Sequence, residues 1–181
     1  GDLLAAVEHG FAAGIRRVGE LWEEGEYFLP ELVQGAEAMK AAMELLRPAL
    51  AASRGGAPAR AGVVIGTVRG DLHDIGKGLV ATLLAAHGFE VHDLGSDVPL
   101  EAFVTRARET GSRIVAASAL LTTTMTAQRE LVRAGEAAGL PSRPRVLVGG
   151  APTSEAWAVE IGATHAENAL SAVKVAEAMV R

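Results

Sequence analysis

The chain has 181 residues, 49% of them hydrophobic and 22% charged, with a formal net charge of −5. That is enough for one compact α/β domain with a small helical companion, and the apolar content excludes a disordered chain. An acidic balance with no basic cluster argues against nucleic acid and anionic membrane surfaces, and the absence of cysteine removes disulfides, thiolate metal sites and a cysteine nucleophile. No apolar run approaches the ~20 residues that a membrane helix needs, and no signal peptide is visible, so a cytoplasmic location is the expectation.

Residues 1–50 read as a helical domain. Phe11, Ile15, Val18, Leu21 and Trp22 fall on one helical face, and Leu29, Leu32, Val33, Ala36, Met39, Met43 and Leu46 on another. Pro30 suits the first turn of the second long helix, and Pro48 sits near its end. Residues 51–60 have no periodicity but carry glycine and proline, which marks a linker.

From 61 to 181, strand and helix alternate. The patterning predicts strands at 61–68, 90–94, 113–118, 145–149 and 163–166. It predicts helices at 76–87, 99–110, 124–138, 153–161 and 169–180, with Gly88, Gly111, Gly139 and Gly162 at helix ends. Such βα units build a parallel sheet covered on both faces through right-handed crossovers, and the flavodoxin-like, Rossmann-like order 2-1-3-4-5 is the expectation. By itself this pattern also suits a response regulator or a flavodoxin. The third strand, however, runs out through Ser118-Ala119-Leu120 with no acid to phosphorylate. The loop after the first strand holds Asp71 and His73 rather than a phosphate-binding run of Ser, Thr and Gly.

That loop, Gly70-Asp71-Leu72-His73-Asp74-Ile75-Gly76, is the most informative segment. In an open α/β sheet ligands bind beyond the carboxyl ends of the strands. A neutral imidazole there can ligate a metal through one nitrogen while a carboxylate two residues away holds the other N–H. Glycines let the backbone approach a large flat ligand. The spacing Asp71-x-His73-x-x-Gly76 resembles the cobalamin-binding signature of corrinoid proteins and of methionine synthase. Ser118-Ala119-Leu120 stands where the family has S-x-L, and Gly149-Gly150 where it has G-G.

The resemblance implies that His73 is the lower axial ligand of cobalt, in place of the cofactor's own base, and that Asp71 is the partner of His73. Thr124 falls where methionine synthase has a serine that extends this relay. A displaced nucleotide tail would run past Ser118, Gly149, Gly150 and Ala169, with Leu120 as an apolar wall and Ser118 and Thr122 as hydrogen-bond partners. Near the C-terminus, His165 takes the position of a family tyrosine, whereas Asn168-Ala169 matches the methionine synthase version. The helical segment Val18–Val33 also resembles the family, and there Trp22, Leu29 and Val33 correspond to side chains that cap the upper cobalt face. The family's helical domain has four helices; this chain starts where the second would be, so a missing first helix or completion by a partner chain is expected. His9, His87 and His92 have no partner pattern and read as surface or helix-end residues.

The implied protein is a methyl carrier that binds methylcobalamin or another corrinoid and cycles between methyl-Co(III) and Co(I). It would be a non-catalytic subunit served by two partners, a methyl-donor-specific methyltransferase and a methyl-acceptor methyltransferase, with self-association left open. Cobalt does the bond chemistry. Two alternatives share the cofactor. An adenosylcobalamin photoreceptor would have Glu-His ten and eleven residues after the tryptophan, where this chain has Leu32 and Val33. An adenosylcobalamin mutase subunit would accompany a substrate-binding barrel rather than a helical cap.

Overall fold

A computed structural model describes residues 3–52, 60–138 and 145–181. The chain divides into two compact units, residues 1–56 and residues 57–181.

In the first unit, α1 (Leu3–Ala5), a π-helical segment (Ala6–Phe11) and α2 (Ala12–Glu23) follow one another without a break, and α3 (Leu29–Ala52) packs against α2. The close approach is at Gly35, where an added Cβ would stand 3.0 Å from Val18 Cγ1. Val7, Met39 and Met43 are buried, whereas Phe11, Trp22 and Val33 are exposed. Pro30 lies in the first turn of α3. The helix continues past Pro48 to Ala52, so residues 51 and 52, expected in the linker, are helical. Residues 53–59 of that linker and Gly139 lie outside the described residues.

The second unit is a parallel sheet of five strands: β1 (Gly62–Thr67), β2 (Glu90–Asp93), β3 (Ile114–Ser118), β4 (Arg145–Gly149) and β5 (Thr164–His165), in the order β2-β1-β3-β4-β5. This is the expected topology. The helices are α4 (Ile75–Ala86), α5 (Leu100–Thr110), α6 (Met125–Ala137), α7 (Glu155–Ile161) and α8 (Ala169–Val180). α4 packs with α8, and α5 with α6 and α6 with α7, which puts one layer on each face, as right-handed crossovers require. Gly111 and Gly162 end α5 and α7 with φ of 62° and 78°, the left-handed geometry that glycine adopts without a Cβ clash.

The central strands are apolar because both faces are covered: Val63, Val64, Ile65, Ile114, Val115, Leu147 and Val148 are all buried. Register places Thr67, Ser118 and Gly149 in one row across β1, β3 and β4 at their carboxyl ends. β1 and β3 are sheet neighbours, but the helices that follow them, α4 and α6, lie in opposite layers. A crevice between their outgoing loops is where an open sheet of this kind binds a ligand.

Candidate functional site

Both outgoing loops meet on one carboxylate. Asp71 is fully buried. Its Oδ1 accepts the His73 backbone N–H at 3.1 Å and pairs with His73 Nδ1 at 2.7 Å. Its Oδ2 accepts the Leu120 N–H at 2.6 Å and the Thr124 hydroxyl at 3.0 Å. The single proton of that hydroxyl is shared with the Leu121 carbonyl, 2.9 Å away. Burial raises the Asp71 carboxyl, but the Leu120 N–H, the His73 N–H, the His73 ring and the Thr124 hydroxyl together outweigh it. They hold the carboxyl down at about 2. The carboxylate is therefore ionised at neutral pH and can only accept, so the proton of neutral His73 sits on Nδ1. Nε2 is left with its lone pair, on a side chain 54% exposed. A buried anion thus orients an exposed imidazole with Nε2 unprotonated, the arrangement in which a histidine can ligate a metal.

The backbone of the loop is equally tied. Asp71 N–H bonds the Val68 carbonyl at 3.1 Å, and Thr67 Oγ1 donates to the His73 carbonyl at 3.1 Å. Gly70 has φ of 82°, a turn that brings Asp71 back under β3. Asp74 precedes α4 as its N-cap residue without a side-chain capping bond. In the first turn of α4, Lys77 is buried and its Nζ lies 2.6 Å from both Asp93 oxygens, which joins α4 to the end of β2.

Around His73, the large apolar side chains of Leu72, Ile75, Leu120 and Leu121 are exposed, and an added Cβ at Gly76 or Gly78 would meet nothing within 4 Å. An apolar margin beside open backbone and a free imidazole nitrogen fits a large planar metal macrocycle. The cavity of about 320 Å³ lined by Val132, Gly135, Arg145, Val146, Gly162 and Thr164 does not include these residues.

Other expected site residues are placed less simply. Ser118 is half-buried in the row with Gly149, and Thr122 is exposed. A Cβ at Gly149 would stand 3.0 Å from the Ala166 carbonyl oxygen, and one at Gly150 only 1.9 Å from that of Ala119. Both glycines therefore have a reason in backbone packing that is independent of a ligand. Asn168 is exposed and forms a capping box with Ser171 at the start of α8, where Ala169 is the first residue. Trp22 and Val33 are exposed on the helical unit, and Leu29 begins α3 there.

Sequence reasoning missed three contributors. The Leu120 main-chain N–H is invisible to a pattern of side chains. Gln128, fully buried, donates to the Ala117 and Gly149 carbonyls and accepts from Trp157 Nε1, so that it braces the β3 and β4 ends. Thr153 Oγ1 donates to the Gly150 carbonyl at 2.6 Å and lies 3.1 Å from His165 Nε2, so it ties the β4 end to β5.

Comparison with known proteins gives this geometry its context. Residues 61–174 match a family described as B12 binding domain, and residues 1–47 match a second family of the same description. The chain belongs to the B12-binding corrinoid protein family. It is 47% identical over 176 residues to dimethylamine corrinoid protein 2 of Methanosarcina mazei, covering 96% of this chain and 81% of the relative. It is 46% identical over 179 residues to a corrinoid protein of Desulfitobacterium hafniense, covering 97% and 82%. Among solved structures, the monomethylamine corrinoid protein of Methanosarcina barkeri superposes with a TM-score of 0.79 at 40% identity, covering 96% of this chain and 82% of that one. A chain in the methanol:cobalamin methyltransferase complex MtaBC from Methanosarcina barkeri gives a TM-score of 0.65 at 30% identity, covering 99% and 68%. The cofactor of the B12 binding domain is cobalamin or a related corrinoid. No described helix is long and apolar enough to cross a membrane.

Proposed function

We propose that this corrinoid protein is a methyl carrier in a methyltransferase system, with His73 Nε2 as the lower ligand of cobalt. The observation that carries this reading is the Asp71–His73 pair, in which a buried, ionised carboxylate fixes the proton on Nδ1 and leaves Nε2 free. The corrinoid supplies the chemistry when bound, a cobalt that takes up and gives away a methyl group between Co(III) and Co(I). The chain's own residues do the rest.

Asp71 holds the His73 ring and its proton. Leu120 N–H and Thr124 hold Asp71. Because Asp71 keeps the Nδ1 side of the ring occupied, Nε2 is the nitrogen that would hold the metal. Leu72, Ile75, Leu120 and Leu121 offer apolar contact to the macrocycle, and Gly76 and Gly78 leave it room. Ser118, Thr122, Gly149, Gly150, Asn168 and Ala169 would accompany the nucleotide tail, while Trp22, Leu29 and Val33 would shield the upper face.

Residues 61–181 form the cofactor domain in this reading and residues 1–50 the cap. The likeness to methylamine corrinoid proteins and to a chain of a methanol:cobalamin methyltransferase complex supports a methyltransferase partner, and a carrier needs two, one that loads the methyl group and one that removes it. The donor is then selected by the loading partner.

The test is the cofactor itself. Protein purified with its native corrinoid is expected to release a methyl or aquo form and, once methylated and kept in the dark, to lose the methyl group only on addition of a methyltransferase. Recovery of adenosylcobalamin together with a light-driven change of oligomeric state would replace the carrier with a regulator.

A further inference from the structure

Asp97 is the one non-glycine residue with positive φ among the described residues, at 54°. An L-residue held there is strained and persists only when its surroundings fix it. What fixes Asp97 is the loop that carries the functional pair. Its carboxylate Oδ1 accepts the Gly70 N–H at 2.7 Å, and its own N–H donates to the Asp71 carbonyl at 3.0 Å. One residue of the β2–α5 loop thus clasps two consecutive residues of the β1–α4 loop.

The flanking backbone extends this contact. Thr67 N–H bonds the Gly95 carbonyl at 2.9 Å, Val98 N–H bonds the Thr67 carbonyl at 3.0 Å, and Val68 and Val98 form an isolated parallel bridge. The left-handed turn at Asp97 lets its N–H and its carboxylate reach the same stretch of chain. Glycine would adopt that turn without strain but would bring no acceptor. The acceptor therefore needs a role, and Gly70 N–H is the group that receives it.

We propose that Asp97 is a positioning residue for the cobalt ligand: by clasping Gly70 and Asp71 it sets the Asp71 carboxylate against His73 and so selects the imidazole tautomer that presents Nε2. This rests on the reading of His73 as the ligand. The tether runs from Asp97 through the Asp71 main chain to the carboxylate, which is then met from the far side by Leu120 N–H and Thr124. Without the clasp, the Gly70 turn has one contact fewer and the His73 ring gains alternative placements.

Asp97→Gly keeps the backbone conformation and removes the acceptor, and Asp97→Asn keeps an acceptor and tolerates the left-handed turn. Both are made in the full chain, with melting temperature as the control for folding. Two readouts follow. In the apoprotein, nitrogen NMR of the His73 ring gives the Nδ1–H tautomer fraction, and amide exchange reports Gly70. In protein carrying nitrogen-15 in its histidine side chains and loaded with Co(II) cobalamin, the share of nitrogen-15 splitting in the EPR spectrum gives the fraction of cobalt bound by histidine rather than by the cofactor's own base.

Asp97→Gly is expected to speed Gly70 exchange about tenfold or more, lower the Nδ1–H fraction and lower the histidine-bound fraction, with Asp97→Asn restoring all three. Asp97→Gly matching wild type in tautomer and ligation would overturn the proposal, as would failure of Asp97→Asn to rescue. Absence of nitrogen-15 splitting in the labelled wild type would instead defeat His73 as the ligand. The apoprotein tautomer would still decide the role of Asp97.

Discussion

Replacing Asp71 with asparagine removes a charge that folding stabilises. The carboxyl goes from an ordinary value of 3.8 to about 2 in the folded chain. Each unit of such a difference is worth ~1.4 kcal/mol, so the ionised carboxylate contributes about 2 kcal/mol to folding at neutral pH. A depressed acid stabilises the fold above its unfolded value and loses that contribution as pH falls through its folded value, which puts the loss between about pH 4 and pH 2. The asparagine variant would have no such window. It would carry a pH-independent penalty of about 1–3 kcal/mol, because the new amide NH₂ must face one of the donors that now serve the carboxylate. The assay is denaturant unfolding of apoprotein, wild type against Asp71→Asn, from pH 7 down to the acid limit of the fold. The stability gap is expected to narrow by about 2 kcal/mol across that range. A gap that stays constant with pH would refute the account of the buried carboxylate.

Gly150→Ala should cost about 3 kcal/mol in an unfolding titration, because its Cβ would meet the Ala119 carbonyl oxygen and the residue would keep a φ of 122°; a neutral effect would show that this turn relaxes. Ser118→Leu should leave apoprotein stability within about 1 kcal/mol, since Ser118 is only half-buried, yet weaken cobalamin binding by equilibrium dialysis; unchanged affinity would move the nucleotide tail off the β3–β4 row. Replacing both Trp22 and Leu29 with alanine should speed aerobic photolysis of methylcobalamin-loaded protein, with the exposed Trp22 contributing about 1 kcal/mol or less to stability; an equal photolysis rate would mean that these residues do not shield the cofactor.

Much of the fold could be read from local pattern. Short β-branched runs such as Gly62–Thr67 alternate with helically spaced apolar residues, and glycine ends α5 and α7, so the elements and their order follow from periodicity and handedness alone. The Asp71–His73 pair was legible for the same reason, because its members are two residues apart. The rest of the site is assembled across long sequence separations by groups without a sequence signature. Leu120 contributes a main-chain N–H, Gln128 looks like any polar helix residue until β3 and β4 close over it, and the strain at Asp97 exists only in the folded loop. Gly149 and Gly150, read as room for a ligand, also stand close to neighbouring carbonyls, tightly at Gly149 and with no space for a Cβ at Gly150, which no pattern of side chains reveals. In the helical unit, the periodicity that marked Phe11 and Trp22 as one apolar face does not report how much of that face the unit covers.

The central claim is that His73 Nε2 binds cobalt. Wild-type protein and His73→Ala are loaded with cobalamin, reduced to Co(II) and compared by EPR, with nitrogen-15 placed only in histidine side chains of the wild type. The account predicts a histidine nitrogen splitting on cobalt that changes from the nitrogen-14 to the nitrogen-15 pattern with the label and disappears in His73→Ala. A spectrum insensitive to the label, or the same spectrum in His73→Ala, would contradict it.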